Sequence, residues 1–270
     1  MTRIAGCTAL ITGGASGIGY LTGRLLLEEG AAHLVIWDVQ DDALQRVVGE
    51  LTAQGRRVTG FRVDVTDLAH VQATLRQMHA IGIDVDLLIN NAGIVVGKQF
   101  AEHSHEEIGS SMAVNALAPM HLARELLTRM LERGSGHIVN VSSAAGMVSN
   151  PGMSVYCASK WALVGWSDSL RLELERSRSG VRVTTVLPYY TDTGLFAGVH
   201  SPLIPLLKPE SVARAIVAAI RRDRIFVYRP RWMRVTPLLR GLLPARWFDT
   251  IGGDWIGVYR SMKTFTGRPR

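Results

Sequence analysis

The chain has 270 residues, 47% of them hydrophobic and 20% charged, with only two cysteines, Cys7 and Cys157. This is the balance of one large globular domain, and it excludes a disulfide framework and a metal-type cysteine cluster. The net charge of +7 is uneven: residues 221–270 hold 12 of the 30 Lys/Arg but only three of the 23 Asp/Glu, so the first 220 residues are nearly neutral. No apolar run reaches the roughly 18–20 residues of a transmembrane helix. Met1–Gly6 leads straight into a strand-like run with no signal-peptide pattern, so a cytoplasmic protein is expected.

In chain order, β-branched runs predict strands at 8–12, 33–38, 57–64, 85–90, 136–143, 181–188 and 224–229. Helical patterns at 17–29, 41–54, 67–81, 105–133 and 156–178 lie between them. Several of the strands are apolar almost throughout, as in a parallel sheet covered on both faces. Strand–helix alternation implies right-handed βαβ units. The expected fold is α/β, a doubly wound parallel sheet of about seven strands with helices on both faces, forming one domain over residues 1–270.

The first strand runs into TGGASGIG (12–19), which spaces Gly13, Gly17 and Gly19 around Ser16 and Ile18. Glycines allow a tight turn and close backbone approach, and the following helix offers unpaired N–H groups and a positive dipole end to a pyrophosphate. Asp38 ends the second strand 19 residues past Gly19, where a carboxylate can bond both ribose hydroxyls of an adenosine. It would repel a 2′-phosphate, and the neighbouring Val39 supplies no cation, so NAD is favoured over NADP. The alternative is a solvated carboxylate capping the next helix. Asp64, followed by Val65, ends the third strand, either near the adenine edge or as a turn residue.

Tyr156 and Lys160 in YCASK (156–160) stand four residues apart, on one face of a helix. With TGGASGIG, NNAG (90–93), Asn115 and VNVSS (139–143), they follow the order and spacing of the short-chain dehydrogenase/reductases. Over about residues 5–200 the chain resembles the compact, one-domain branch of that superfamily. The resemblance implies a Rossmann-type fold and hydride transfer between an alcohol carbon and a nicotinamide.

It also implies roles. Tyr156 would be the acid/base, and a free tyrosine, with a pKa of about 10, is a poor base at neutral pH. A lysine ammonium and a positive nicotinamide would lower that pKa, and Lys160 would also hold the nicotinamide ribose. Ser143, thirteen residues before the tyrosine, would orient the substrate oxygen, with Ser142 facing the other side of the strand end. Asn115 would hold a water joining Lys160 to solvent, or serve as a helix-interior hydrogen bond. Asn91, Ala92 and Gly93 match the loop lining the adenosine ribose, while Asn90 braces the sheet. Helices 105–133 and 156–178 would form a homodimer or homotetramer contact. No metal is implied: His70, His79, His103, His105 and His121 read as surface or capping residues.

The chain departs from the resemblance at LPYYTDTGLF (187–196), where Tyr189 replaces a glycine. Pro188, Thr191 and Thr193 keep the spacing of the loop that contacts the nicotinamide carboxamide. The same loop resembles the retinol and 17-beta-hydroxysteroid dehydrogenase group. A lid is expected at about 194–210, made apolar by Leu195, Phe196, Val199, Leu203, Ile204, Leu206 and Leu207; these side chains either meet an apolar alcohol or ketone or only pack the lid. The extension at about 230–270 combines arginines with Trp232, Trp247 and Trp255, and prolines limit it to short helices. It suits an anionic membrane surface, a subunit interface or a cover over the substrate mouth. Charge alone would allow nucleic acid, but no recognition motif accompanies it. The expected function is NAD-dependent oxidation of an apolar alcohol, or the reverse reduction. A ketoacyl-type carbonyl reductase and a non-catalytic NAD-binding regulator are the alternatives.

Overall fold

The computed structural model describes residues 2–201, 204–255, 257–262 and 264–267. Among them are seven strands: β1 (Thr8–Thr12), β2 (His33–Asp38), β3 (Val58–Arg62), β4 (Leu87–Asn90), β5 (Gly136–Val141), β6 (Val181–Pro188) and β7 (Phe226–Arg229). They form one parallel sheet in the order β3-β2-β1-β4-β5-β6-β7. The order reverses between β1 and β4, which opens a crevice at their carboxyl ends, the usual place for a ligand in such a sheet.

Burial explains the apolar strands. β2 is buried at all six positions and β1 at four of five, because helices cover both faces. On one face lie α1 (Gly17–Glu28), α2 (Asp41–Ala53) and α7 (Pro209–Arg221); on the other lie α3 (Leu68–Ala80), α5 (Ala118–Arg133) and α6 (Ser154–Arg176). The sequence reading names no helix between β6 and β7, and α7 corrects it. Pro209 opens that helix and Glu210 sits in its first turn, both favourable at a helix start. Val212, Ile216 and Ile220 then recur at four-residue spacing and are fully buried. Each such side chain contributes about 1.5–3 kcal/mol.

The predicted helix 105–133 is two helices, α4 (His105–Met112) and α5, joined by a π turn over Ala113–Leu117. Pro119 has no N–H, so the carbonyl of Asn115 cannot receive the usual bond from four residues on. The wide turn accommodates that defect and carries Asn115 inward, fully buried.

Strand β5 stops at Val141, two residues short of Ser143. β3 stops at Arg62, and the carboxylate of Asp64 accepts from the N–H and hydroxyl of Thr66, which fits the turn reading of that residue. Beyond β7 the extension is broken by Pro237 and Pro244 into α8 (Thr236–Leu242) and α9 (Ala245–Phe248), followed by a π turn over Asp249–Trp255. Its last described residues strap the segment after β6, where the lid is expected. His200 N–H donates to Ser261 O, Thr264 Oγ1 donates to Gly198 O, and Thr266 N–H donates to Ala197 O. Leu203 of the lid and Lys263, Arg268 and Arg270 of the tail lie outside the described residues. No helix among the described residues is long and apolar enough to cross a membrane.

Candidate active site

The glycine loop is rigid for reasons visible in its packing. Gly13 has φ +62°, and a Cβ there would lie 3.0 Å from the Cα of Ala92. A Cβ on Gly19 would collide with the carbonyl of Gly13 and the amide of Asn91. Asn91 ties the loop to the end of β4: its Nδ2 donates to the carbonyls of Thr12 and Gly13 at 3.0 and 2.9 Å. Thr12 Oγ1 accepts from the backbone N–H groups of Asn91 and Ala92. Asp38, buried at the end of β2, accepts from Ala15 N–H and Gln40 N–H, both at 3.0 Å. The carboxylate therefore braces the loop as well as standing at the cleft.

These elements enclose a cleft of about 450 Å³. On its wall stand Gly13, Ser16, Gly17, Ile18, Asp38, Asp64, Val65, Asn91, Ala92, Gly93, Ser143, Tyr156, Lys160, Pro188, Thr191 and Thr193 of the sequence-predicted residues. Gly19 and Asn115 stand behind the wall. Gly19 lets the loop close on Asn91, and Asn115 holds the chain after β4 by accepting from Ile94 N–H and donating to Ile94 O. Thr193 packs against Gly17 across the cleft, and Thr191 turns its hydroxyl to the carbonyl of Tyr189 at 2.9 Å. The fit to a dinucleotide is physical: bare glycine backbone and the N-terminus of α1 at one end, a carboxylate beside them, and a lysine and tyrosine at the other end.

That other end is formed where β5, β6 and α6 converge. α6 starts at Ser154, which puts Tyr156 in its first turn and Lys160 one turn further. Lys160 is buried, donates from Nζ to Val141 O at 3.1 Å, and lies 5.8 Å from the centre of the Tyr156 ring. Burial lowers its pKa from 10.5 to about 8. Burial also raises the Tyr156 pKa, against a hydrogen bond from Ser143 that lowers it. Desolvation dominates, and the lowering expected from Lys160 is not among the influences on Tyr156 in this arrangement. Ser142 turns away, as expected, donating to Lys160 O at 3.1 Å. Ser143 caps the short turn over Ala144–Gly146 by accepting from Ala145 N–H. Asn90 donates to Asn140 Oδ1 at 2.8 Å inside the sheet, bracing it as expected.

A second cavity, about 170 Å³ and almost wholly apolar, begins at Ser143 on the far side from the glycine loop. Sequence reasoning did not find it as a cavity. Its walls include Val148, Met153 and Tyr189 from the core, and Met233, Leu239 and Phe248 from the extension. Tyr189 belongs to both spaces and divides them, its hydroxyl bonded to Ser201 at 2.9 Å. Next to the cavity, the buried Tyr190 hydroxyl joins Asn150 and Ser261 at 2.8 and 3.0 Å, which fastens the extension to the core. No local signal in the sequence marked this joint, because its three residues meet only in the fold. His103, read as a surface or capping residue, does close a short turn, but its ring is buried beside Glu107.

A family profile described as "short chain dehydrogenase" matches residues 7–202. Epidermal retinol dehydrogenase 2 of Mus musculus is 33% identical over 275 residues, covering 99% of this chain and 88% of that protein. The 17-beta-hydroxysteroid dehydrogenase 13 of Rattus norvegicus is 30% identical over 244 residues, covering 90% and 81%. Among solved structures, a short chain dehydrogenase/reductase from Burkholderia phymatum in complex with NAD superposes with a TM-score of 0.81 at 30% identity, covering 89% of this chain and 95% of that one. A short-chain dehydrogenase from Sphingobium yanoikuyae in complex with NADPH gives 0.76 at 28%, covering 92% and 94%. The sheet order, the glycine loop at its switch point and these matches converge: the chain belongs to the short-chain dehydrogenase family of oxidoreductases, with the resemblance to the retinol and 17-beta-hydroxysteroid group borne out.

Proposed function

We propose that the protein is an NAD-dependent alcohol dehydrogenase, working equally as a ketone reductase, on an apolar alcohol of retinoid, steroid or lipid type. The observation that carries this reading is the position of Ser143, which lies on the wall of both the polar cleft and the apolar cavity, with Tyr156 as its hydrogen-bond partner. A reacting carbon held in the apolar cavity would present its oxygen to Ser143 and Tyr156.

NAD, when bound along the glycine loop, supplies the hydride acceptor. The chain's own residues do the rest. Ser143 orients the alcohol oxygen and stabilises its developing negative charge. Tyr156, as phenolate, takes the hydroxyl proton, and the hydride released with it would pass to the nicotinamide that the cleft residues would hold. Burial works against the phenolate form, and the positive charges near it, Lys160 and an oxidised nicotinamide, must offset that cost. Asn115 keeps the loop after β4 closed over Lys160 through Ile94. Asp38 beside exposed Val39 supports NAD, since a 2′-phosphate would meet a carboxylate, and the one cation on the cleft wall among the described residues, Lys160, stands at the other end. The solved relatives hold NAD in one case and NADPH in the other, so the preference rests on Asp38.

The lid and the extension complete the substrate site in this reading: Phe196 packs edge-on against Tyr156, and Met233 and Phe248 close the cavity. The exposed Leu117 of the π turn, Leu131 of α5 and Trp161 and Leu172 of α6 suit a homodimer. A panel of retinoid, steroid and long-chain alcohols with NAD, followed at the NADH absorbance, tests the proposal. The expected result is turnover that drops about 10²–10⁴-fold in Tyr156→Phe while NADH binding is retained. Turnover unchanged in that variant would refute it.

A further inference from the structure

The extension is two-faced. Its inner face roofs the apolar cavity through Leu239, Leu243, Phe248 and Ile251. Its outer face is apolar too. Of the 17 exposed large apolar side chains among the described residues, eight fall between residues 232 and 255. The most prominent are Leu238, Leu242, Trp247 and Trp255, with exposures of 62, 71, 65 and 75%, and none of these four lines the cavity. Leu238 and Leu242 are one helical turn apart on α8, next to the stripe formed by Leu239 and Leu243. Trp247 and Trp255 project from α9 and the π turn that continues it. Arg231, Arg234 and Arg246 are exposed among them.

Soluble monomers seldom expose so many large apolar groups together. Tryptophan and leucine rimmed by arginine on short helices is the composition of an interfacial segment that meets anionic lipid. The charge distribution agrees, since the basic excess of the chain is confined to this end. We infer that the outer face of the roof, Leu238 to Trp255, docks on an anionic bilayer surface, so that a lipophilic alcohol passes from the bilayer into the cavity beneath. The route part rests on the substrate reading above; the docking part stands on the surface alone.

The test is co-sedimentation of the full chain with vesicles, which needs no turnover. Wild-type protein is expected to pellet with mixed phosphatidylcholine–phosphatidylglycerol vesicles and several-fold less with phosphatidylcholine alone, and to be released by added salt. The variant L238E/L242E/W247E, checked for folding by thermal melting, is expected to lose at least about tenfold of the vesicle partition. Should that variant fail to fold, R231Q/R234Q/R246Q decides the matter, with binding to the anionic vesicles expected to fall several-fold. Equal pelleting of wild type and folded variants, or no pelleting of wild type, would overturn the inference. So would an apolar face that proves to be a contact between two copies, seen as a larger species on gel filtration that the variants dissociate, with no vesicle binding. If docking holds but no apolar alcohol is turned over in solution or on vesicles, the substrate reading falls and the docking surface stands.

Discussion

Asn115 bonds both backbone groups of Ile94, accepting from its N–H at 3.0 Å and donating to its carbonyl at 2.9 Å, as a neighbouring strand would. The same amide nitrogen donates to Ser159 Oγ, and that hydroxyl donates to Tyr156 O at 2.7 Å. One buried amide therefore joins the loop after β4 to the helix that carries Tyr156 and Lys160. Asn115→Asp keeps the shape but replaces the donor by an acceptor facing two oxygens. A buried mismatch of this kind costs about 1–3 kcal/mol. Thermal melting is expected to show the loss, and turnover should fall further than NADH affinity because the loop carries Gly93 towards Lys160. An Asn115→Asp variant as stable and active as wild type would show that this bond pattern is dispensable.

Val39 is the point where cofactor preference can be moved with least damage. It is 48% exposed and adjoins Asp38 on the cleft wall, whereas Asp38 itself holds Ala15 and Gln40 in place. Val39→Arg adds a cation where a 2′-phosphate would lie, and the efficiency with NADP is expected to rise about tenfold with little change for NAD. Steady-state kinetics with both cofactors measures the ratio. No gain with NADP would mean that the adenosine ribose lies elsewhere.

Phe248 reaches the apolar cavity from α9 and touches nothing on the cofactor side. Phe248→Ala is expected to raise KM for long apolar alcohols about tenfold or more, within the range for losing a large side chain from an apolar contact. Short alcohols should be unaffected, as should NADH binding. A uniform loss across chain lengths would place the defect in folding rather than in the substrate wall.

His137 lies far from the site, fully buried in β5, between the hydroxyls of Thr2 and Thr184. Desolvation, the largest influence, lowers its pKa from 6.5 to about 4, with Asp223 acting to raise it and Arg182 to lower it further. The folded state thus binds this proton more weakly than the unfolded chain. Stability from this source is complete above pH 6.5 and is lost as pH falls from there towards 4, by up to about 1.4 kcal/mol per pH unit. Melting curves between pH 7 and 4.5 should decline less steeply in His137→Gln than in wild type. Identical slopes would assign the acid sensitivity to other groups.

The sheet and most of the cleft were legible in the sequence because they rest on local signals. Strand periodicity, the glycine spacing and the four-residue step from Tyr156 to Lys160 are each written within a few residues. What escaped depends on contacts between distant segments. The π turn follows from Pro119 four residues after Asn115, a pattern that reads as ordinary helix until the missing donor is counted. α7 was within reach, with Pro209 and a regular apolar spacing, but its start overlaps the end of the expected lid at about 194–210. The apolar cavity was beyond any local reading, since Met153 and Tyr189 meet Met233 and Phe248 only once the sheet has formed. The Tyr156 pKa likewise depends on burial by Phe196 and the lid, which no spacing within YCASK reveals.

The fastening of the extension has a consequence for how such a protein can diverge. Ser261, Thr264 and Thr266 hang on backbone groups of the lid segment and, through the Ser261 hydroxyl, on Asn150 and Tyr190, and no strand of the sheet pairs with them. One wall of the apolar cavity is therefore built by a part of the chain that the nucleotide fold does not need, while Val148, Met153 and Tyr189 supply the other. Exchanging residues from Arg231 onward for those of a relative would recut the pocket while leaving Ser143, Tyr156 and Lys160 in register. The cofactor cleft and the outer wall of the cavity thus occupy separate stretches of one polypeptide, and the wall can be altered without rewriting the cleft.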